Sequence, residues 1–295
     1  MGDVSVIVVT YNSAGCVGRL LDALGQHCAE SLHEAIVVDN ASSDGTRTLV
    51  AHDYAWVRLV ARATNGGLSA AINDGVAASS GQFVAILNPD IHFDTDPLAP
   101  LAAYLREHPD TGVVAPKLLD DDGTLQLSCR AFPGYQTAIF NRYSLLTKVL
   151  PANERSRRYL MTDFDHASVR DVDWVSGAML MLPRRVFDEV GGFDAGYFMF
   201  NEDVDFCRRV HDAGYRVVYD PRSVVHHTIG VSKSASRKMI VARHRSMWRY
   251  YRKHLRGGAL RDAVTAAGIA ARCGFMLARA SVASLVARAT PARTS

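Results

Sequence analysis

The stretch Val4-Ser-Val-Ile-Val-Val-Thr10 near the start of the chain is a β-branched run of strand length. Three similar runs follow it, and helical spacing appears between and after them. The strand-like runs are Val4–Val9, Ala35–Asp39, Val57–Ala61 and Phe83–Leu87, and the helical segments are 15–27, 44–52, 67–79 and 96–107. Buried strands that alternate with helices predict parallel β-α-β units. The predicted fold class is therefore α/β, with a mostly parallel open sheet flanked by helices.

A polar segment follows each of the four predicted strands. These segments are Thr10-Tyr11-Asn12, Asp39 to Gly45, Thr64-Asn65-Gly66-Gly67 and Asn88-Pro89-Asp90. In open α/β sheets, ligands bind beyond the carboxyl ends of the strands. The sequence therefore predicts a binding site built from these four segments.

The composition is that of an ordinary folded protein. The chain has 295 residues, of which 48% are hydrophobic and 21% charged, values that exclude a disordered or collagen-like chain. Its five cysteines include no C-x-x-C pair, which argues against zinc or dithiol redox chemistry. We expect a protein of the reducing cytoplasm, and the N-terminal segment lacks the pattern of a signal peptide.

Three common catalytic motifs are absent from the sequence. No G-x-G-x-x-G follows the first strand, and neither G-x-x-x-x-G-K-[ST] nor G-x-S-x-G occurs. These absences argue against a dinucleotide oxidoreductase, a P-loop kinase or ATPase, and a serine hydrolase.

Charge is distributed unevenly along the chain. Residues 236–295 hold thirteen Lys or Arg and one acid, whereas residues 1–235 hold twenty Lys or Arg and twenty-nine acids. This shift predicts an acidic body, 1–235, and a C-terminal extension of basic amphipathic helices, 236–295.

The extension has the composition of a membrane-surface segment. Basic residues interleaved with aromatic ones, such as Trp248, are typical of a helix that lies on anionic lipid. The longest uncharged stretch, Ala263–Ala271, has nine residues, so we expect the extension to lie on a membrane without crossing it. The alternatives are that it packs on the body or forms a homodimer. Nucleic acid is the least favoured partner.

Two aspartates that follow strands have side chains suited to a nucleotide ligand. Asp39 can accept a hydrogen bond from the imide N–H of uracil or thymine, whereas residues 42–44 after it are also explained as helix caps. Asp90 is held past the sheet edge by Pro89, and one carboxylate on a rigid turn suits Mg²⁺ or Mn²⁺. The alternative for Asp90 is a simple turn with a solvated carboxylate.

The segment Asn201-Glu202-Asp203-Val204-Asp205 places three acids at the predicted start of a helix. It follows an aromatic run, and a carboxylate between aromatic side chains is a candidate general base with a tunable pKa. We assign that role to Asp203; the alternative is that these acids only complement the helix dipole. His226 and His227 end a later strand, and one of them can complete a metal site begun by Asp90 instead of remaining a surface group.

In this order along the chain, these motifs resemble those of the family-2 inverting glycosyltransferases, and most closely their bacterial rhamnosyltransferase-like branch. The resemblance covers about residues 3–255 and rests on Thr10-Tyr11-Asn12, Val38 to Gly45, Asn65-Gly66-Gly67 with Asn73, Asn88-Pro89-Asp90, Trp174 to Ala178, Asn201 to Asp205, and Val225-His226-His227. It implies a GT-A fold, with a donor half at about 1–115 and an acceptor half at about 116–235. It also implies a nucleotide-sugar donor, Mg²⁺ or Mn²⁺ as cofactor, and inversion at the anomeric carbon.

The resemblance further implies roles for individual residues. Nucleotide-sugar binding would fall to Thr10, Tyr11, Asn12, Asp39, Asn40, Asn65, Gly67, Asn88 and Asp90, and acceptor binding to Trp174, Gly177, Ala178 and Glu202. Asp203 would be the catalytic base. Asp90 and His226 would hold the metal, with His227 as the substitute for His226. Asn88 stands where the family's Asp-x-Asp motif often has its first acid, which leaves fewer protein charges on the metal.

The reaction expected from this resemblance is a single displacement. Asp203 deprotonates an acceptor hydroxyl, which attacks the anomeric carbon opposite the nucleoside diphosphate. We expect dTDP-rhamnose as donor and a lipid-linked or cell-envelope glycan as acceptor, at the inner face of the cell membrane. UDP-galactofuranose or UDP-hexose donors and a soluble acceptor are alternatives. From other classes, the alternatives are a non-catalytic nucleotide-sugar-binding protein and a nucleotidyltransferase, although the extra acids and the basic loop of the latter are not evident.

Overall fold

The computed structural model describes residues 2–134, 157, 159–228 and 236–289, with side chains described as far as Val282. Its strands are β1 (Val4–Thr10), β2 (Leu32–Asp39), β3 (Arg58–Ala61), β4 (Phe83–Leu87), β5 (Ile91–His92), β6 (Thr111–Leu119), β7 (Cys129–Arg130), β8 (Arg170–Asp171), β9 (Trp174–Val175), β10 (Met179–Pro183) and β11 (Arg216–His227). Its helices are α1 (Val17–His27), α2 (Thr46–Asp53), α3 (Leu68–Ala77), α4 (Leu98–Glu107), α5 (Arg184–Glu189), α6 (Glu202–Asp212), α7 (Arg237–Tyr250) and α8 (Ala259–Ala289). A π-helical turn, Tyr251–Leu255, follows α7. Residues 229–235, at the predicted boundary between body and extension, lie outside the described residues.

The described strands form one large sheet and one small antiparallel pair, β7–β9. The order in the large sheet is β3-β2-β1-β4-β10-β6-β11-β5, and β8 also pairs with β11. The pairs β1–β2, β1–β4, β2–β3 and β6–β11 are parallel, whereas β5, β8 and β10 run antiparallel to their neighbours. The predicted α/β class with a mostly parallel sheet is confirmed, and the four predicted strands are β1 to β4.

The register of the parallel strands brings their carboxyl ends to one edge of the sheet. Thr10 at the end of β1 pairs with Asp39 at the end of β2, and Asp39 pairs in turn with Ala61 of β3. On the other side of β1, Val8 pairs with Leu87 at the end of β4. The polar segments that follow these four strands therefore meet at this edge.

Alternate residues of the central strands enter two apolar clusters, one on each face of the sheet. In β1, Val6 and Val8 belong to the cluster beneath α1 and α4, whereas Ile7 belongs to the cluster beneath α3, α5 and α6. All three side chains are fully buried, as expected for a strand covered on both faces. Each such side chain contributes about 1.5–3 kcal/mol when buried, so the two clusters hold the strand ends firmly in place.

The C-terminal extension consists of a packed part and an outer helix. Ser236 caps α7 by accepting a hydrogen bond from the N–H of Met239, and α7 buries Ile240 and Tyr250, the latter within the second apolar cluster. Helix α8 packs along α7. It leaves four large apolar side chains exposed: Leu260, Val264, Phe275 and Val282.

Part of the extension's charge is neutralised inside the molecule. Arg249 and Lys253 form ion pairs with Asp194, and Lys253 and His254 contact Asp205. These contacts match the alternative in which the extension packs on the body. The basic excess is therefore not wholly available to an external anion.

Helix α8 differs from expectation in its apolar length. Its stretch Ala259–Val282 has 24 residues, a mean hydropathy of 1.2 in its most apolar window and none of that window buried. On length and composition alone it is long enough to cross a membrane. A hydropathy window tolerates one or two charges that an uncharged run does not, so length and composition do not exclude a span. That the extension lies on a membrane without crossing it stays a prediction.

Candidate functional site

Asp39 lies fully buried at the end of β2 and is fixed by its neighbours. Its Oδ1 accepts a hydrogen bond from Thr10 Oγ1 at 3.3 Å, and its Oδ2 accepts from the backbone N–H of Ser42 at 3.0 Å and from the Arg47 guanidinium. Burial acts to raise the pKa of Asp39, but the hydrogen bonds from Ser42 and Arg47 outweigh it and lower that pKa. The carboxylate is thus ionised, and Oδ1 has a second acceptor position. In this conformation the side chain is fully buried, so a ligand N–H would reach it only if the loops around it moved.

The loops after β1 and β2 are tied together by side chains. Asn12, in a left-handed conformation (φ 55°), donates its N–H to Ser42 Oγ at 2.9 Å and accepts from the N–H of Ser43 at 2.8 Å. Asp44 accepts from the N–H of Ala14 and also from that of Thr46, the first residue of α2. Capping and loop linkage are therefore combined in residues 42–44.

Asn40 and Asn65 connect the loop after β2 with the loop after β3 at the same edge of the sheet. The Nδ2 of Asn40 donates to Asn65 Oδ1 at 3.0 Å and to the carbonyl of Gly67 at 3.1 Å, and Asn65 Oδ1 also accepts from the N–H of Gly67 at 3.0 Å. Their amides are engaged with each other, so in this conformation they shape the loop before α3. Tyr11, by contrast, is 52% exposed and free to contact a ligand.

The start of α3 joins this edge to the segment before α6. Gly67 has a φ of 92°, and a Cβ at this position would lie 2.5 Å from the carbonyl oxygen of Phe198. The same carbonyl accepts a hydrogen bond from the N–H of Leu68 at 2.8 Å. Further along α3, Asn73 exchanges two hydrogen bonds with the backbone of Phe193.

Asp90 faces His227. Their closest atoms, Asp90 Oδ1 and His227 Nε2, are 3.3 Å apart, and Asn88 Nδ2 lies 3.4 Å from the same Nε2. His226 is elsewhere: its ring stacks on His92 at 5.0 Å, and its Nδ1 lies 3.3 Å from the carbonyl of Asp120. Consecutive strand residues point to opposite sides, so only one of the two histidines can face Asp90.

The hydrogen bonds of His227 indicate that a cation belongs beside Asp90. His227 Nδ1 lies 3.0 Å from Gln126 Oε1, while Gln126 Nε2 donates to the carbonyl of His227 and to Asp120. This network makes Oε1 the acceptor and Nδ1–H the donor, which leaves a lone pair on Nε2. Asp90 Oδ1 is buried without a hydrogen-bond partner. Asn88 Nδ2 can donate to the lone pair on Nε2 at 3.4 Å, so Asp90 Oδ1 is the acceptor that has room for a cation.

These residues fit a divalent cation that is also held by its substrate. A carboxylate and an imidazole supply two ligands, and Mg²⁺ or Mn²⁺ commonly completes its shell with phosphate oxygens and water. Within the described ranges, no cluster of three His, Cys, Asp or Glu side chains is arranged to hold a metal.

Asp90 also lines a cleft of about 190 Å³. The other lining residues are Gly15, Cys16, Arg19, Ile91, His92, Asp121 and Thr228. Arg19 is exposed there, and the described residues offer it neither a hydrogen bond nor an ion pair. Burial, together with Asp90 and Asp44, raises the pKa of Cys16 to about 11, so its thiol is not a nucleophile at neutral pH. The sequence analysis missed Arg19 because a lone arginine inside a helix carries no motif signal.

Asp203 is held in the first turn of α6 by backbone N–H groups. Its Oδ2 accepts from Gly177 at 3.1 Å and its Oδ1 accepts from Val204 at 2.8 Å. Burial raises the pKa of Asp203 in spite of these hydrogen bonds. Next to Gly177, the carbonyl of Ala178 accepts from the N–H of Asn88 at 2.8 Å. Residues 177 and 178 thus connect Asp203 to the segment that carries Asp90.

Glu202 is buried beside Asp203, and its Oε2 has no hydrogen-bond partner. Burial and the charge of Asp203 raise the pKa of Glu202 to about 8. The two neighbouring carboxyl groups therefore bind protons more tightly than ordinary acids do.

Trp174 is less accessible than its predicted place in the acceptor site requires. It is 6% exposed, its Nε1–H donates to the carbonyl of Ala131 at 2.8 Å, and Arg130 lies over its ring. In this conformation Trp174 belongs to the second apolar cluster. Arg130 is close enough to Asp203 to lower that aspartate's pKa, although burial outweighs the effect.

Comparison with known sequences identifies the family. The family model described as Glycosyl transferase family 2 matches residues 5–166, and a model described as Glycosyl transferase family group 2 matches residues 132–292. The chain is 29% identical over 255 residues to N-acetylglucosaminyl-diphospho-decaprenol L-rhamnosyltransferase of Mycobacterium tuberculosis, which covers 82% of each chain. It is 26% identical over 225 residues to a rhamnosyltransferase of Escherichia coli K12, which covers 74% of this chain and 80% of the relative.

Solved structures share the fold. A mannosyltransferase from Pyrobaculum calidifontis, in complex with GDP-Man and Mn²⁺, superposes with a TM-score of 0.59 at 20% identity over 96% of this chain and 80% of its own. GalNAc-T7 with UDP, GalNAc and Mn²⁺ superposes with a TM-score of 0.62 at 15% identity over 85% of this chain, which spans 48% of GalNAc-T7. The central sheet with flanking helices is thus a GT-A fold, and the chain belongs to glycosyl transferase family 2, in its rhamnosyltransferase-like branch.

Proposed function

We propose that this protein is an inverting, metal-dependent glycosyltransferase that moves rhamnose from dTDP-rhamnose to a hydroxyl of a lipid-linked or cell-envelope glycan. The observation that carries this proposal is the connection of two chemical centres at one sheet edge. Gly177 donates its N–H to Asp203, and Ala178 accepts from the N–H of Asn88, so residues 177 and 178 link Asp203 to the segment that carries Asp90, which in turn faces His227. The first suits a diphosphate with its cation, and the second suits a general base.

Each centre has a distinct task in the proposed reaction. Asp203 takes the proton from the acceptor hydroxyl, which then attacks the anomeric carbon from the side opposite the diphosphate. One displacement inverts that carbon. A divalent ion held by Asp90 and His227 would supply positive charge to the leaving diphosphate. Arg19, which lines the same cleft as Asp90 and has no ion-pair partner in the described structure, can add a second positive charge.

Asp39 is the proposed reader of the nucleobase. Its ionised carboxylate is fixed by three donors and retains an acceptor position, which suits the imide N–H of uracil or thymine. Both bases present this group, so Asp39 does not distinguish dTDP from UDP. The names of two relatives specify rhamnosyl transfer, which supports rhamnose as the sugar. We propose its dTDP form as the donor, with UDP-galactofuranose and UDP-hexoses as the alternatives.

The acceptor and the location are proposed together. The Mycobacterium tuberculosis relative is named for a decaprenol-linked acceptor, and a lipid-linked acceptor requires an enzyme at the membrane surface. The exposed apolar side chains of α8 support such an attachment. We therefore propose peripheral association with the cytoplasmic face of the cell membrane, for polysaccharide or cell-wall biosynthesis. A donor half at about 1–115 and an acceptor half at about 116–235 complete the proposal.

The test is a donor screen with the full-length protein. Hydrolysis of dTDP-, UDP- and GDP-sugars is measured with Mg²⁺ or Mn²⁺, and the anomeric configuration of the product is read by NMR. We expect dTDP-rhamnose to be turned over fastest, with inversion. Faster turnover of a UDP-sugar would mean that the donor is a UDP-sugar and not dTDP-rhamnose. Retention of the anomeric configuration would overturn the proposed single displacement. Binding without turnover of any donor would favour a nucleotide-sugar-binding protein.

A further inference from the structure

The backbone just before α6 is strained. Phe200 and Asn201 are both in the left-handed region, with φ of 70° and 63°. A bulky residue such as Phe rarely adopts this conformation, and each strained residue costs on the order of 1–3 kcal/mol. Such a turn persists only where its surroundings hold it. The residue that follows it by two positions is Asp203, the proposed base.

Helix α7 supplies part of what holds this turn. Ser246 Oγ–H donates to the carbonyl of Met199 at 2.8 Å, and the guanidinium of Arg243 lies 4.2 Å from the centre of the Phe200 ring. A second cation–π contact places Lys238 Nζ of α7 5.2 Å from the centre of the Phe198 ring. Each cation–π contact contributes about 0.5–2 kcal/mol, so together these contacts are comparable with the strain.

The π-helical turn after α7 contacts the first turn of α6 through Asp205. Asp205, two residues after Asp203, is fully buried and lies 2.9 Å from Arg209 Nε, 2.8 Å from Lys253 Nζ and 2.8 Å from His254 Nε2. Burial alone would raise the pKa of Asp205, but His254, Lys253 and Arg209 hold it well below its usual range. A buried carboxylate that loses a partner is strongly destabilised. The first turn of α6 is therefore tied to the turn Tyr251–Leu255, and π-helical turns are frequent at functional sites.

We propose that α7 and the turn Tyr251–Leu255 form a clamp that positions the catalytic base. Lys253 and His254 act through Asp205 as positioning residues for Asp203, and they do not touch the substrates. The inference rests on the proposed function, because it takes Asp203 as the base. It assigns residues 236–255 to the catalytic machinery and not to a separable membrane segment.

The test compares three substitutions in the full-length protein. His254→Ala removes a donor to Asp205, whereas His254→Gln keeps an N–H near the position of Nε2. Arg256→Ala is the matched control, because it breaks an exposed ion pair with Asp262 close to the same turn without contacting Asp205. The measurements are kcat and KM for transfer, the dissociation constants of dTDP and UDP, the unfolding temperature, and hydrogen exchange of a peptide covering residues 197–205.

We expect His254→Ala to lower kcat between about tenfold and 100-fold, the range for a misplaced catalytic group, with nucleotide affinity and donor KM within about twofold of wild type. Exchange in residues 197–205 should become faster in this variant, and His254→Gln should restore both properties. Wild-type kcat in His254→Ala would overturn the clamp. Equal losses in all three variants that follow the unfolding temperature would also overturn it.

Asp203→Asn separates this proposal from the proposed function. If Asp203→Asn keeps full transfer, the assignment of the base fails whatever the effect of His254→Ala. If Asp203→Asn loses transfer while His254→Ala does not, the proposed function stands and the clamp fails.

Discussion

Asp203 combines a raised pKa with a fixed position, as a general base requires. Burial keeps its proton affinity above that of an ordinary aspartate, and the N–H of Gly177 orients the carboxylate. We expect Asp203→Asn to lower the transfer rate by at least ~100-fold, because the acceptor hydroxyl then has no base. Donor affinity should be unchanged in a nucleotide-binding assay. An equal loss of donor affinity would instead assign Asp203 to the donor site.

The two histidines at the end of β11 should differ in their effect on metal binding. His227 faces Asp90 and His226 stacks on His92. We expect His227→Ala to weaken Mn²⁺ binding in the presence of UDP by more than about tenfold, and His226→Ala to weaken it less, as measured by electron paramagnetic resonance. Asp90→Asn should resemble His227→Ala, and excess chelator should stop turnover. The opposite ranking of the histidines, or full turnover in chelator, would contradict the site.

Glu202 should make the stability of the fold depend on pH. Its pKa rises from the ordinary 4.5 to about 8 on folding, so between these values the folded protein keeps a proton that the unfolded chain has lost. Stability should therefore fall as pH rises through this window and level off above it. Glu202→Gln should reduce that fall, and the variant should be more stable than wild type near pH 8.5 by denaturant unfolding. Parallel curves for the two proteins would contradict a buried proton on Glu202.

Single residues could be singled out from the sequence where a polar side chain follows a strand or begins a helix, and the roles assigned to them stay predictions. Asp39, Asp90 and Asp203 follow from such patterns, because a charge beside a buried apolar run needs a partner or a ligand. The choice between His226 and His227 did not follow. It depends on the pairing of β11 with β5 and on the hydrogen bond to Gln126, neither of which is visible in local sequence.

At the scale of elements, the join between α3 and the segment before α6 requires a glycine at position 67. A Cβ there would lie 2.5 Å from the carbonyl oxygen of Phe198, in a backbone with φ of 92°. We expect Gly67→Ala to lower the free energy of unfolding by about 1–3 kcal/mol, measured by urea denaturation. Gly66→Ala is the control, because its Cβ would meet the flexible end of Arg62. Equal losses in both variants would contradict the tight contact with Phe198.

The first four strands and their helices were predictable because each carries its own periodicity. Strand-like runs of five or six residues between helical patterns specify β1 to β4 without reference to the rest of the chain. The insertion of β10 between β4 and β6 was not predictable, since it joins segments about 65 to 100 residues apart in sequence. The site depends on that insertion, because Gly177 and Ala178 directly precede β10.

At the scale of the whole molecule, composition revealed the basic extension but not where its charges go. Lys253 and His254 lie against Asp205, so a chain cut before α7 would leave that buried carboxylate with Arg209 as its one remaining cationic partner among the described residues. Helix α8 exposes four large apolar side chains to an external partner. Its exposed apolar side chains can enter a lipid surface, and binding of this kind differs from attraction between charges alone.

This difference gives a prediction for full-length protein on anionic vesicles. Exposed Val264 and Phe275 would each bury apolar surface worth about 1.5–3 kcal/mol in lipid, so the double substitution to serine should reduce vesicle binding by more than about tenfold. Ala278→Ser, also on an exposed part of α8, is the matched control. Binding should weaken with salt without vanishing, because the apolar contribution is not screened.

Two results would change this account of α8, and a third is the one expected. Resistance of the bound protein to alkaline carbonate extraction would mean that Ala259–Val282 crosses the bilayer, which its length and composition allow. Failure to bind vesicles at low salt, combined with concentration-dependent dimerisation that the serine variant loses, would mean that a second copy of the chain covers the apolar face. A peripheral enzyme should be released from the vesicles by carbonate. In the serine variant, transfer to a lipid-linked acceptor should then fall far more than transfer to a short soluble analogue. The reason is that attachment to the surface raises the local concentration of only the lipid-linked acceptor.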